Sequence, residues 1–468
     1  MKKEKDYLLL LLKNNGINIT AGRMVFFENF LKEEKNLEAL QTITINRNWI
    51  MNKWKLNNKI DEIIQKPIKI LNATVGKPFE TKFDFEKFGW EGISAYGFIG
   101  LEDTGLVYDQ KTKQLTGIPV KSGDIKITFQ FKIEGQAEDA PFNDKMFTII
   151  INPDPKSLWK NLPSDSADPY TKEDNVTQFS KLGSKHIAVS CKRGRSHANV
   201  GSFREDDFAF NELSNGWSIV VISDGAGSAK VSRQGSHLAC QGIVEFFKSS
   251  ESKQNLERFD DLVELHNNQP GEETNKRIKT FLYNNLGQAA FQTHKKLEAF
   301  ADQAGLTLKD LSATLIFTLF KKFESGYVFL SFGVGDCPMA VLNKGLTEVT
   351  LLNWIDVGDY GGGTRFITMP EIFKDEKFET RLNFHQAKDF SYLILMSDGI
   401  YDAKFVVESS LADIKKWQQF MHDLNGINED KIKVEISIDN KNLEKQLSDW
   451  MDFWSVGNHD DRTLAIVF

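Results

Sequence analysis

Acidic residues at the ends of apolar runs are the residues of this chain most able to do chemistry. Four of them stand beside strand-like runs: Asp224, Asp336, Asp398 and Asp460. A buried strand that ends in Asp-Gly presents its carboxylate at the edge of a sheet, and a glycine such as Gly225 lets the backbone carbonyl approach an ion closely. Asp-Gly is also an ordinary turn dipeptide, so each acid alone predicts only a turn. Their recurrence beside apolar runs indicates a shared cluster of oxygen ligands.

A run of three acids, Glu205-Asp206-Asp207, precedes the apolar residues 208–210. Three neighbouring carboxylates would repel one another if half buried, so a positive group should compensate them. Oxygen-only ligands favour Mg²⁺ or Mn²⁺ over zinc. A planar, doubly donating guanidinium suits a phosphate oxygen, and three arginines stand close by in the chain: Arg193, Arg195 and Arg204. The pattern predicts metal-dependent phosphate chemistry, and the alternative is a set of surface ion pairs.

An ordered set of motifs resembles the metal-dependent serine/threonine protein phosphatases of type 2C. The resemblance runs from residue 180 to residue 468, and its motifs fall in the order of that family. They are Arg204-Glu205-Asp206, Ser223-Asp224-Gly225, Ser312-Ala313-Thr314, Gly335-Asp336, Met396-Ser397-Asp398-Gly399 and Asp460-Asp461-Arg462-Thr463. The resemblance implies an α+β fold, a four-layer α/β/β/α sandwich of two facing antiparallel sheets flanked by helix pairs, with metals at one end.

The resemblance also implies roles for the acids. Asp224 would bridge two Mn²⁺ or Mg²⁺ ions, the Gly225 carbonyl would bind one of them, and Asp398 and Asp460 would hold the second, so that these three aspartates form the catalytic set. Asp336 would lie near a weaker third ion. Two such ions lower the pKa of a bridging water, and the resulting hydroxide would attack phosphorus in line.

Glu205 and Asp206 would hydrogen-bond the metal-bound waters, although Asp206 and Asp207 could fill the same two positions. The chain departs from the family pattern twice. Ala226 stands where many members have a histidine that protonates the leaving oxygen. Gly201 stands where the family has its phosphate-binding arginine, which leaves Arg204, Arg195 and Arg193 as candidates for that role.

Two other functions are alternatives to an active phosphatase. The glycine-rich stretch 225–230 ends in Lys230 but lacks the spacing of a phosphate-binding loop, and Asp224 would repel a phosphate unless a metal intervened. A catalytically weak, phosphatase-shaped regulator that acts by partner docking is favoured by Ala226 and Gly201, but the retained carboxylates argue against it.

The elements before the phosphatase-like region divide into three segments. Residues 1–66 have helical patterning, and residues 67–153 have short β-like runs broken by glycine and aspartate. The stretch 105–124 resembles the bacterial immunoglobulin-like repeats of cadherin-type adhesins, which implies a β-sandwich that docks a protein partner. Residues 154–179, rich in Pro, Ser and Asp, predict a linker to the phosphatase-like domain at 180–468.

Composition narrows the class of protein. The formal charge is 58 − 65 = −7, which disfavours a nucleic-acid binder, and the three cysteines lack the spacing of a zinc site or disulfide framework. The apolar run 8–12 is shorter than the core of a signal peptide, and no stretch is long enough to span a membrane. We therefore expect a cytoplasmic signalling enzyme that acts on a phosphorylated protein and is paired with a Ser/Thr kinase.

Overall fold

The structure, a computed structural model, describes residues 2–356 and 363–468. It divides into two compact units, Met1–Leu158 and Trp159–Phe468. Among the described residues, no helix is both long and apolar enough to cross a membrane.

The first unit has three helices followed by seven strands. The helices are α1 (Lys2–Asn14), α2 (Met24–Lys32) and α3 (Glu34–Gln65). The strands are β1 (Ala73–Thr74), β2 (Phe79–Lys82), β3 (Ile93–Ile99), β4 (Leu106–Asp109), β5 (Gln114–Gly117), β6 (Gly123–Ile133) and β7 (Asn143–Asn152). They form two sheets, with the strand orders β1-β7-β6-β3 and β2-β5-β4. Phe83, Phe129 and Phe131 lie in one buried aromatic cluster, and Ile63 of α3 belongs to the same cluster.

The second unit contains two larger sheets. Its strands are β8 (Asn175–Leu182), β9 (Lys185–Lys192), β10 (Asp207–Glu212), β11 (Ser218–Ser223), β12 (Leu315–Phe323), β13 (Gly326–Val334), β14 (Met339–Asn343), β15 (Val349–Leu351), β16 (Leu382–Ala387), β17 (Phe390–Met396) and β18 (Arg462–Val467). The five-stranded sheet has the order β10-β11-β12-β13-β16, and the six-stranded sheet has the order β15-β14-β17-β18-β9-β8. Neighbouring strands in both sheets are antiparallel.

Eight helices complete the second unit within the described ranges. They are α4 (Arg195–Val200), α5 (Ser232–Lys248), α6 (Ser250–Asn268), α7 (Glu272–Leu282), α8 (Gln288–Ala304), α9 (Asp398–Lys404), α10 (Ile414–Leu424) and α11 (Leu443–Trp450). α5 buries a face that includes Ala239, Ile243 and Phe247 in one cluster with residues of the five-stranded sheet. α10 and α11 bury Trp417 and Trp450 in a second cluster, with residues of the six-stranded sheet.

The central strands are apolar throughout because both of their faces are buried. In β11, Ile219 and Val221 belong to the cluster that contains the α5 residues, whereas Val220 and Ile222 belong to a third cluster. That third cluster also contains Leu393 and other residues of the six-stranded sheet. Successive side chains of a strand point to opposite faces, which explains this alternation. The second unit is thus a mixed α+β fold in which acids at the strand ends border a rigid core.

Residues 159–174, for which the sequence predicts a linker, contact this core directly. The Leu162 amide donates to the Ala198 carbonyl at 2.8 Å. The buried guanidinium of Arg193 donates to Leu162 and to Ser164, and Arg233 donates to the Asp168 carboxylate at 2.7 Å. This stretch therefore lies within the second compact unit, which begins at Trp159.

Candidate metal centre

Asp224 lies where β11 ends, and a short backbone pairing holds it there. Its amide donates to Thr314 Oγ1 at 2.9 Å, and its carbonyl accepts from the Thr314 amide at 2.8 Å. The next residue, Gly225, forms an antiparallel bridge with Ala313. A Cβ on Gly225 would lie 2.7 Å from the Glu205 carbonyl oxygen, so only glycine fits. Asp224 Oδ2 is buried and has no hydrogen-bond partner.

Asp398 is the first residue of α9, directly after the strand β17 and Ser397. Ser397 fixes this turn against β18, because its amide donates to the Thr463 carbonyl at 3.0 Å and its Oγ accepts from the Thr463 amide at 2.9 Å. A Cβ on Gly399 would lie 1.9 Å from the Asp461 carbonyl oxygen, which explains the glycine. Asp398 Oδ1, like Asp224 Oδ2, is buried without a partner.

The three consecutive acids have different surroundings. Glu205 Oε2 is buried and has no hydrogen-bond partner, and Asp206 Oδ2 accepts from Thr463 Oγ1 at 2.7 Å. Asp207 instead lies 3.2 Å from Lys172 Nζ and 2.9 Å from His237 Nδ1. Burial acts to raise the pKa of Asp207, but the charge of Lys172 and the hydrogen bond with His237 outweigh it, and the pKa lies well below its usual value. Because Asp207 is already neutralised, Glu205 and Asp206 are the better pair to face a metal.

The two adjacent acids before β18 also differ. Asp461 is buried and accepts from the amides of Gly194 at 2.6 Å and Glu205 at 2.5 Å. Its Oδ1 also lies 2.9 Å from His197 Nδ1, whereas the Asp460 side chain is 53% exposed. Asp461 therefore holds three segments of the chain together, which leaves Asp460 as the carboxylate that can face a ligand.

The surroundings raise the pKa of five carboxyl groups in this region: Asp224, Asp398, Glu205, Asp206 and Asp460. Burial raises the pKa of Asp224 and Asp398 well above the usual value, and the negative charges of Asp206 on the first and Asp336 on the second raise it further. Burial likewise raises the pKa of Glu205 and of Asp206 to about 7. Asp460 is half exposed, and its partial burial together with the charge of Asp461 raises its pKa as well. Such shifts mean that the positive charge present here, including that of His197 next to Glu205, does not offset the burial of these acids.

Divalent cations would supply the positive charge that these acids lack. Three buried carboxylate oxygens without partners, on Glu205, Asp224 and Asp398, are ligand atoms of the kind that Mg²⁺ and Mn²⁺ take. One ligand atom each from His197, Asp460 and Asp461 also lie within 4.8 Å of one another. Both oxygens of Asp461 accept hydrogen bonds from backbone N–H groups. We therefore interpret the contact of His197 with Asp461 as an ion pair beside the acidic cluster, and not as a metal site.

A family model described as protein phosphatase 2C matches residues 193–452 of this chain. The chain belongs to that family. The match covers more than half of the 468 residues and includes Glu205, Asp224, Asp336 and Asp398, but it ends before Asp460. Membership in the protein phosphatase 2C family confirms the prediction of a serine/threonine phosphatase, a hydrolase. A comparison with curated protein sequences gives no significant match.

Several solved structures are similar to this phosphatase. The serine/threonine phosphatase Stp1 from Staphylococcus aureus is 14% identical, with 64% of this chain and 98% of that chain covered at a TM-score of 0.35. The catalytic domain of the phosphatase PstP, in complex with two manganese ions, is 16% identical, with 63% and 98% covered at a TM-score of 0.34. RsbX in complex with magnesium is 14% identical, with 62% and 98% covered at a TM-score of 0.31.

Asp336 lies after β13, and its Oδ2 accepts from Thr364 Oγ1 at 2.6 Å. Burial is the larger cause of the raised pKa of Asp402, and the charge of Asp336 is the next. The charge of Asp336 also raises the pKa of Asp398. Asp336 thus belongs electrostatically to the same acidic region of the phosphatase as Asp398.

The arginines differ from the sequence-based expectation. Arg204 is only 2% exposed, and its guanidinium donates to Cys191 Sγ and the Asp206 carbonyl, both at 2.6 Å. A phosphate at the surface could not reach it, so we correct its assignment from phosphate ligand to structural cation. Arg193 is also buried and donates to the stretch 161–164. Arg195 is partly exposed and donates to the carbonyls of Asp452 and Phe453, at 2.5 and 3.1 Å.

Two cations that compensate the acids were missed in the sequence. Lys172 lies in the predicted linker, and no spacing or motif connects it to Asp207. His197 lies between Glu205 and Asp461; burial lowers its pKa, but the contact with Asp461 outweighs this and raises the pKa to about 9. The expectation that a positive group must compensate the acidic run was the one signal that could have prompted a search for both residues.

Proposed function

We propose that this phosphatase hydrolyses phosphoserine and phosphothreonine in proteins with two Mn²⁺ or Mg²⁺ ions at the acidic cluster. The observation that carries this proposal is the set of three buried carboxylate oxygens without partners, at the end of β11, at the start of α9 and at Glu205. Uncompensated carboxylates in a folded core are costly unless a cation joins them.

The residues that would hold the ions follow from their surroundings. Asp224 would bridge the two ions with the Gly225 carbonyl on one of them, and Asp398 and Asp460 would bind the other. Glu205 and Asp206 would orient bound waters, and Asp336 would serve a weak third ion. Two divalent ions supply an activated water near neutral pH and stabilise negative charge on the phosphoryl group.

The remaining residues of the site orient these ligands. Thr314 and Ala313 fix the Asp224–Gly225 turn, and Ser397 joins the Asp398 turn to Thr463. His197 supplies a positive charge next to Glu205 and Asp461. Arg195, which is partly exposed, stays the candidate for a phosphate contact. No side chain of this set needs to form a covalent bond to phosphorus.

The finer architecture belongs to the same proposal. We propose that the two sheets and their helices form the four-layer α/β/β/α sandwich, because the third apolar cluster contains residues of both sheets. For residues 67–153 we propose an immunoglobulin-like β-sandwich that docks a partner, after the helical segment 1–66. A Ser/Thr kinase as counterpart and a cytoplasmic location complete the proposal.

The test is Mn²⁺-dependent hydrolysis of a phosphothreonine peptide by wild type and by Asp224→Ala. We expect the variant to lose at least about a hundredfold in kcat. Replacing a residue that only hydrogen-bonds a metal ligand already costs up to about a hundredfold in activity, and Asp224 would bind the ions directly. Mn²⁺ binding, measured by calorimetry, should weaken in parallel. Asp302→Ala is the matched control, because Asp302 is exposed on α8. Equal rates for both variants, or an inactive wild type at saturating Mn²⁺, would favour the docking regulator instead.

A further inference from the structure

Three aromatic rings meet at the loop that leads into Asp460 in the second unit: those of Trp159, Trp454 and His459. We call them the aromatic shelf. The His459 ring centroid lies 4.4 Å from that of Trp159 and 4.8 Å from that of Trp454, with interplanar angles of 54° and 49°. All three residues are partly exposed, and none of them belongs to an apolar cluster of the described core.

The shelf is anchored to the same elements that carry the acidic cluster. The His459 carbonyl accepts from the amide and the Oγ of Ser196, at 3.0 and 2.9 Å. Trp159 precedes Lys160, whose amide donates to Asn199 Oδ1 at 3.0 Å. The Arg195 guanidinium lies 5.5 Å from the centroid of the Trp454 ring. The rings are therefore held in place before any ligand arrives, which lowers the entropic cost of binding.

The position of the shelf relates it to the substrate. His459 directly precedes Asp460, so the two Cα atoms are about 3.8 Å apart. Asn458, in the same loop, accepts a hydrogen bond from the Asp460 amide at 3.3 Å through its side-chain oxygen. An extended peptide advances about 3.3 Å per residue. A side chain one to three residues from the phosphorylated residue can therefore reach the shelf.

We propose that the aromatic shelf is a subsite of this phosphatase that accepts a bulky, neutral, apolar or aromatic side chain flanking the phosphorylated residue; this inference rests on the proposed function. Exposed aromatic faces gain most from apolar or ring contacts. The Arg195 guanidinium next to Trp454 disfavours a cationic side chain at the shelf. Val456, 94% exposed in the same loop, extends the apolar surface.

The experiment uses the full chain with Mn²⁺ and phosphothreonine peptides that have alanine at every flanking position, or one phenylalanine at a single position from −3 to +3. We expect phenylalanine at one or two positions to raise kcat/KM about tenfold over alanine, mainly through KM, as one ring contact allows. Trp454→Ala and Trp159→Ala should each lose this preference. Trp159→Ala should keep the kcat of the all-alanine peptide, whereas Trp454 also lies against Arg195, the candidate for the phosphate contact. Trp454→Phe should restore most of the preference.

The matched control is Trp49→Ala, which removes an exposed tryptophan of α3 in the other unit. It should leave the preference unchanged. Equal kcat/KM for all peptides in wild type, or a phenylalanine preference that survives both shelf variants, would overturn the subsite and leave the proposed function standing. No hydrolysis of any peptide at saturating Mn²⁺ would overturn the proposed function and the subsite with it.

Discussion

Replacing Lys172 with methionine tests whether the stretch before β8 is part of the phosphatase unit. Lys172 Nζ donates to the Asp206 carbonyl at 2.7 Å and to the Arg233 carbonyl at 3.2 Å, and it lies 3.2 Å from the Asp207 carboxylate. The side chains of this ion pair are 10% and 13% exposed, so solvent screens it little. Lys172 Nζ also donates to Ser236 Oγ at 3.2 Å. Methionine keeps the length of the side chain and removes all four polar contacts.

The expected cost follows from these contacts. Breaking a buried ion pair by removing one partner costs about 3–5 kcal/mol, and the carbonyls left without a donor are part of that cost. His237 stays 2.9 Å from Asp207 and limits the loss, so we expect about 3 kcal/mol. For a unit of this size, that corresponds to a fall in Tm of about 5–10 °C.

The assay is scanning calorimetry of the full chain with and without Mn²⁺, because the transition that Mn²⁺ shifts upward identifies the phosphatase unit. Lys160→Met is the control, since Lys160 is exposed in the same stretch. If Lys172→Met melts within about 1 °C of Lys160→Met, a change equivalent to only a few tenths of a kcal/mol, the buried contacts of Lys172 contribute nothing and the reasoning fails.

Two further predictions concern the chain boundary and pH. A chain that begins at Trp159 should keep the Mn²⁺-dependent peptide activity of the full chain. A chain that begins at Asn175 lacks Lys172 and should melt several degrees below the chain that begins at Trp159. Equal melting temperatures of the two truncated chains would contradict this. The folded-state pKa of Glu205 and of Asp206, about 7, lies above the value of about 4 that these carboxyl groups have in an unfolded chain. The metal-free chain should therefore lose stability as pH rises from 5 to 8, by about 1.4 kcal/mol per pH unit for each proton released. The raised pKa of His197 acts in the same direction, and Mn²⁺ should stabilise the chain more at pH 8 than at pH 6. Melting curves in chelator and in Mn²⁺ across this range measure both effects, and a metal-free Tm that rises with pH would refute the assigned shifts.

The acidic cluster was accessible from the sequence because its members carry local signals. A carboxylate after an uninterrupted apolar run, followed by glycine, predicts a strand end where the backbone must approach another group closely. The structure gives the reason for two of these glycines: a Cβ would meet the Glu205 carbonyl at Gly225 and the Asp461 carbonyl at Gly399. Because these steric demands are local, the sequence shows them as glycine at these two positions.

Other assignments depended on partners that the sequence does not connect. Arg204 has the residue type of a phosphate ligand, yet its guanidinium lies inside the core against Cys191 and the Asp206 carbonyl. Asp460 and Asp461 are adjacent and chemically identical, but only Asp461 accepts the amides of Gly194 and Glu205. Adjacent residues of an extended chain point to opposite sides, and the neighbours on each side come from distant segments.

The sequence by itself determined the family of this protein, the order of its acidic motifs and the apolar strands that end beside them. Each of these features depends on the types of residues that are close together in the chain. Only the tertiary structure decided which carboxylates lack a hydrogen-bond partner, which cations compensate the acids and which rings meet at the loop before Asp460. Lys172 and His197 approach the acids, and Trp159 approaches His459, through folding of remote segments. Burial, which sets the pKa and the strength of each contact, exists only once those segments have packed.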